Sequence, residues 1–99
     1  MWAMVTHIAL SVDPDEAQRQ LIEEIEPLVR RFRGFQRAFW LVDESGSNGT
    51  AVVIVDSQEN AERAARGAQP GSPAGRQGTH TDVQVLRVLH QAHAASLEH

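Results

Sequence analysis

FQRAFWLVDESGSNGTAVVIV, residues 35–55, is the stretch that decides the fold. Phe35 to Asp43 reads as a strand, rich in aromatic and aliphatic residues. Glu44-Ser45-Gly46-Ser47-Asn48-Gly49 is a turn cluster, in which Asn48-Gly49 is the strong hairpin dipeptide. Thr50 to Val55 reads as the returning strand. Both strands are apolar on both faces. Phe35, Phe39 and Leu41 oppose Ala38, Trp40 and Val42, and Val53 and Val55 oppose Val52 and Ile54. An antiparallel sheet with one wet face alternates apolar with polar residues. This hairpin does not, so its sheet calls for cover on both sides.

Upstream, Trp2 to Val12 is a further apolar, β-branched strand, with Met4, Thr6, Ile8 and Leu10 on one side and Val5, His7 and Ala9 on the other. Asp13 offers a helix-capping oxygen, and Pro14 suits the first helical position. Asp15 and Glu16 put negative charge at the positive helix end. Ala17, Leu21, Ile25, Leu28 and Phe32 then recur at helical spacing, with Ile22 and Val29 widening the stripe. The spacing predicts a helix over 14–33, kinked where Pro27 removes a ladder bond and ended by Gly34. Arg30, Arg31 and Arg33 suit the negative helix end.

Downstream, Asp56 or Ser57 caps a second helix over 58–66, with Glu59 placed as in a capping box and Ala61, Ala64 and Ala65 as its apolar side. Gly67 to Thr79 carries glycines and prolines without periodicity and reads as a long loop, a lid or a disordered segment. Asp82 to His90 is a fourth strand, alternating Val83, Val85, Arg87 and Leu89 against Gln84, Leu86 and Val88.

This order predicts an α+β, ferredoxin-like βαββαβ domain over residues 2–91, followed by a tail over 92–99. Right-handed crossovers put both helices on one face of an antiparallel sheet, with the first and third strands central. The other face is then greasy and exposed. A second copy, packed sheet to sheet about a two-fold axis, is the simplest cover. Leu97-Glu98-His99 reads as the start of a vector-encoded polyhistidine tag.

A chain of 99 residues allows one domain. The formal charge is −4, which argues against nucleic acid as a partner. No apolar run is long enough to span a membrane and no secretory leader is visible, so a cytoplasmic location is expected. There is no cysteine, which excludes disulfides and thiolate chemistry. Arginine without lysine, with abundant alanine, suggests a GC-rich bacterial genome.

The chain resembles the dimeric α/β-barrel superfamily of ferredoxin-like domains, and within it the antibiotic-biosynthesis-monooxygenase-like group. The resemblance rests on Pro27-Leu28-Val29 to Gly34-Phe35, on Phe39-Trp40-Leu41-Val42, and on Val53-Ile54-Val55-Asp56-Ser57-Gln58-Glu59. It spans residues 2–90. It implies a homodimer and cofactor-independent monooxygenase-like chemistry on a small aromatic substrate. The alternative is a non-catalytic homodimeric module that binds a small molecule or serves in stress. The second helix has no aromatic residue and the chain no tyrosine, so the tryptophan of haem-degrading members and the tyrosine of quinone-forming members are missing. No cofactor is expected.

His7 and His80 are the candidate catalytic groups, because histidine titrates near neutrality. His7 equally suits a hydrogen-bonded place at a subunit interface, and His80 a solvated loop. Trp40, Phe39 and Arg37 are the candidate substrate-binding residues, two aromatic walls and a cation for a carboxylate or phenolate. Trp40 equally suits a core, and Arg37 an ion pair with Asp43 or Asp82. His90 and His93 have helical metal-ligand spacing but no carboxylate pattern beside them, so no metal is expected.

Overall fold

A computed structural model describes residues 1–94. The elements run β1 (Trp2–Leu10), α1 (Pro14–Gln20), a π-helical turn (Leu21–Ile25), α2 (Glu26–Val29), β2 (Phe35–Val42), β3 (Asn48–Val55), α3 (Gln58–Ala65), a 3-10 turn (Arg66–Ala68), β4 (Pro73–Ala74) and β5 (Gly78–Arg87). The sheet is antiparallel with strand order β2-β3-β1-β5-β4. It is a small α+β domain compatible with a ferredoxin-like fold. No helix is long and apolar enough to cross a membrane among the described residues. The expected tag remnant at 97–99 and the end of the tail lie outside them.

One sheet face is the core. Met4, Val53 and Val55 pack there against Ala61, Ala64 and Ala65 of α3 and against Val29, with Ile25 and Phe32 partly buried at the margin. Ile8, Ala51 and Ala74 form a smaller cluster with Trp40 and Leu10. The expected split of β1 and β3 into faces holds. The other face forms three cross-strand rows: Arg37, Ile54, Ala3 and Leu86; Phe39, Val52, Val5 and Gln84; Leu41, Thr50, His7 and Asp82. Among the described residues no element packs over Phe39, Leu41 and Leu86, which are 50%, 56% and 47% exposed.

Two bulges set which residues face the core. At Gln36 the register slips, so Phe35 pairs with Val55 and joins the core, while Arg37 pairs with Ile54. Phe35 therefore does not share a face with Phe39 and Leu41, as simple alternation predicted. At Thr81 the slip puts His80 opposite Ile8 and Asp82 opposite His7. A bulge turns the residues beyond it to the other side of the sheet.

The first helix also differs from its prediction. Asp13 caps it, accepting from the Glu16 N–H at 2.9 Å, and Pro14 opens it. Pro27 does not produce a simple kink. The turn before it widens to π geometry, and the Glu26 N–H reaches back to the Leu21 carbonyl. Each residue advances a helix by about 100°, so one inserted residue rotates everything after it. Val29 consequently faces the sheet at 7% exposure, and Leu28, expected inside, is 59% exposed. The helix stops at Val29 rather than Arg33, and turns carry the chain to Gly34.

The β2–β3 turn centres on Gly46 (φ 77°), while Asn48 and Gly49 belong to β3. Asn48 serves the turn through its side chain instead. The Asp43 carboxylate accepts from Asn48 Nδ2 at 2.8 Å, from Ser45 Oγ at 2.9 Å and from the Ser47 and Asn48 N–H groups. These donors favour the ionised form and hold that carboxyl down at about 2. Ser57, not an Asp56–Glu59 box, caps α3 through the Asn60 N–H, and Asp56 accepts from Asn60 Nδ2 at 2.7 Å.

The expected loop over 67–79 is structured. Pro73 and Ala74 pair with Thr79 and Gly78 in a short hairpin, and Ala68, Ala74 and Gln77 are buried beneath it. Arg76 pairs with Glu24 at 2.8 Å, and a Cβ on Gly75 would meet Ile25 Cδ1 at 2.8 Å. The hairpin is therefore seated on the π turn. β5 begins at Gly78 and ends at Arg87, ahead of the predicted 82–90 at both ends.

Gly34 gives the clearest test of this chain path. It sits at φ 75°, and an added Cβ would fall within 2.0 Å of Asp56 Oδ1. Gly34→Ala is expected to lower the unfolding free energy by about 1–3 kcal/mol in urea titration. Unchanged stability would show that this turn tolerates a side chain.

Candidate functional site

The helix–sheet layer is not filled. Small alanines let α3 press onto β1, β3 and β5, whereas larger side chains stand between the first helix and the sheet. Two chambers result. One, of about 280 Å³, lies between Ala17 and Leu21 of the helix and Ile8, Leu10 and Val42 of the sheet. The other, of about 220 Å³, lies between Ile25, Phe32 and Ala68 on one side and Met4, Val53 and His80 on the other. Ile8, Trp40 and Gln77 line both chambers. The walls are mostly apolar, as small-molecule sites are, with a few polar groups among them.

The polar groups of the second chamber come from β1 and the start of β5. Thr6, 2% exposed, is the one polar residue in the inward stripe of β1, between Met4 and Ile8. Its Oγ1 lies 2.7 Å from His80 Nδ1 and donates to the Asp82 carbonyl at 2.9 Å. The His80 backbone is fixed by the hairpin segment: its N–H donates to the Ser72 carbonyl at 2.9 Å and its carbonyl accepts from Gly71 at 2.7 Å. Burial pushes the His80 imidazole below its ordinary value, because a charged ring loses hydration there. Among the described residues His80 is the only titratable side chain on this chamber.

Gln77 is 3% exposed and reaches both chambers. Its carbonyl accepts from the Ser11 N–H at 2.8 Å, which ties the hairpin to the end of β1. Gln20, the last residue of α1, donates to Glu16 while its Oε1 is buried without a protein partner among the described residues.

The candidate residues divide between the two sheet faces. His80 and Trp40 meet in the cavity. His7, Phe39 and Arg37 stand in the rows of the opposite face. There His7 Nδ1 lies 3.1 Å from Thr50 Oγ1, and Arg37 is exposed without an ion pair among the described residues. No single constellation unites all five. Thr6 and Gln77 were not singled out in the sequence. Thr6 was visible there as a hydroxyl in an otherwise apolar stripe, whereas Gln77 lay in a segment without periodicity.

No protein-family model matches this chain, and no curated protein matches it in sequence.

The His80 environment has a measurable consequence. Its imidazole is expected to titrate below the ordinary histidine value in NMR pH titration. Neutral in the folded core and readily protonated when unfolded, it makes stability fall as pH drops below about 6.5 toward its folded value. A ring that titrates at or above 6.5 would mean that water reaches it freely.

Proposed function

We propose that this protein is a homodimeric α/β barrel of the ferredoxin-like class that binds a small aromatic molecule between helix and sheet. The observation that carries the reading is the pair of apolar chambers flanking Trp40, with the His80–Thr6 pair set in the wall of one. An aromatic ring suits such walls, since it buries apolar area and stacks against the indole. The homodimer is supported by the uncovered sheet face. Phe39, Leu41 and Leu86 are exposed there beside Val5, Val52 and Ile54, and a second copy would bury all of them. His7, Thr50, Asp82 and Arg37 would then lie at the joint, as polar groups commonly do around an apolar centre.

A second reading, cofactor-independent monooxygenation, is supported by His80 as the single titratable group on the chamber among the described residues. A phenol that gives its proton to a base becomes an electron-rich anion that dioxygen oxidises. With 1-naphthol the balance is naphthol plus O2 giving 1,4-naphthoquinone plus water, the substrate supplying all electrons. His80 would take the hydroxyl proton, and Trp40 and Phe32 would confine the ring.

Binding is tested with 1-naphthol by calorimetry. Ala68→Leu, which fills the chamber floor, is expected to weaken binding at least about tenfold while leaving the far-UV spectrum intact. Equal binding by this variant would place the ligand elsewhere. Turnover is read as oxygen uptake above the protein-free rate and its loss in His80→Gln; no uptake leaves the binding reading and removes the enzymatic one.

Assembly is tested by sedimentation equilibrium. A mass twice the 10.9 kDa chain is expected, falling to one chain in a Phe39→Glu, Leu86→Glu double variant. A monomer at micromolar concentration would sink the dimer.

A further inference from the structure

The contacts of Thr6 fix more than its own place. Its Oγ1 touches two atoms, the Asp82 carbonyl at 2.9 Å and His80 Nδ1 at 2.7 Å, and the hydroxyl has one proton. A carbonyl oxygen carries no proton. Two oxygens at that separation are held together only if the hydroxyl proton lies between them. The shorter contact then needs its proton from the other side, and only the imidazole can supply it. The His7 carbonyl, 3.5 Å from the same oxygen, is too far to compete. We propose that Thr6 is a positioning residue that holds His80 in its Nδ1–H tautomer, so that Nε2 faces the occupant of the chamber as a hydrogen-bond acceptor and selects molecules that offer a hydroxyl or N–H there.

The surroundings agree with this assignment. Nε2 makes no hydrogen bond to any described residue, although the ring lines the cavity. Thr6 is buried under the first helix, so water does not compete for its hydroxyl. Burial of the ring keeps it neutral near pH 7, which leaves the Nε2 lone pair free. Two backbone bonds fix the His80 main chain, the Thr81 bulge turns the residue inward, and the Thr6 contact is the hydrogen bond that orients its ring. A partly buried acceptor favours a ligand that donates to it over one that cannot, because the second leaves it unpaired or dependent on water. The chamber therefore disfavours an ether, a quinone carbonyl or a carboxylate at this position.

This inference rests on the reading that the cavity takes a small aromatic molecule, and the test separates the two. The tautomer is read directly from long-range proton–nitrogen NMR spectra of the histidine-labelled protein. The expected pattern is protonated Nδ1 and bare Nε2 for His80 in the wild type. An Nε2–H pattern, or a mixture, overturns the proposal. Thr6→Val keeps the shape of the side chain and removes the hydroxyl; it is expected to release His80 to the Nε2–H form or a mixture, and Thr6→Ser to restore the wild-type pattern. A wild-type pattern in Thr6→Val would show that Thr6 does not set the tautomer. Selection is read by calorimetry with 1-naphthol against 1-methoxynaphthalene. The naphthol is expected to bind about ten- to a hundredfold tighter, a preference lost in Thr6→Val and recovered in Thr6→Ser. Equal binding of the two probes by the wild type overturns the selection while the cavity reading stands. Binding of neither overturns both.

Discussion

The candidate site of this domain depends on the unequal stand-off of its helical segments from one sheet. Ala61, Ala64 and Ala65 have almost no side chain, so α3 lies close and seals its part of the core. The first helix presents Leu21 and Ile25, the turn after it presents Phe32, and room is left beneath them. A close-packed interior does not leave such space by default. Here the space persists because the helix is propped at both ends: Asp13 and Pro14 fix its start beside the β1 end, and Val29 wedges its last turn onto Met4 and Val53.

Much of this was legible in the sequence. The inward stripe of β1, the alternation of β3, the Asp13 cap and the alanine face of α3 each follow from local chemistry that the residues state openly. What was not legible consists mainly of one-residue offsets. Counting back from inward Val83 by twos places His80 outside; the extra residue at Thr81 reverses it. The slip at Gln36 does the same for Phe35, and the widened turn before Pro27 keeps Val29 on the sheet but turns Leu28 away from it. An offset of one residue leaves no mark on composition. It is chosen by packing across the sheet, which no local window contains. Pro27 was a visible signal of disruption, but whether a helix kinks or widens there depends on what its far end must touch.

The candidate residues were chosen by type, and the fold sorts them by side. Trp40 and its strand neighbour Phe39 differ by one position and so serve opposite surfaces, one the cavity and one the bare sheet. His80 and His7 are sorted in the same way, one against Thr6 and one against Thr50. The proposed small-molecule site and the proposed dimer joint therefore need not compete for the same atoms. The two faces do share β1, where alternate residues belong to each.

The seat of the β4–β5 hairpin has a kinetic meaning. What holds it to the helix is an exposed arginine–glutamate pair, worth less than about 1 kcal/mol, and the fit of a bare glycine against one isoleucine methyl. The long strands are knitted by extended backbone ladders, the kind of element that opens at higher cost than a short flap. Lifting it off the helix would leave the ladders of the long strands in place. This flap is thus the part of the fold expected to open ahead of the sheet.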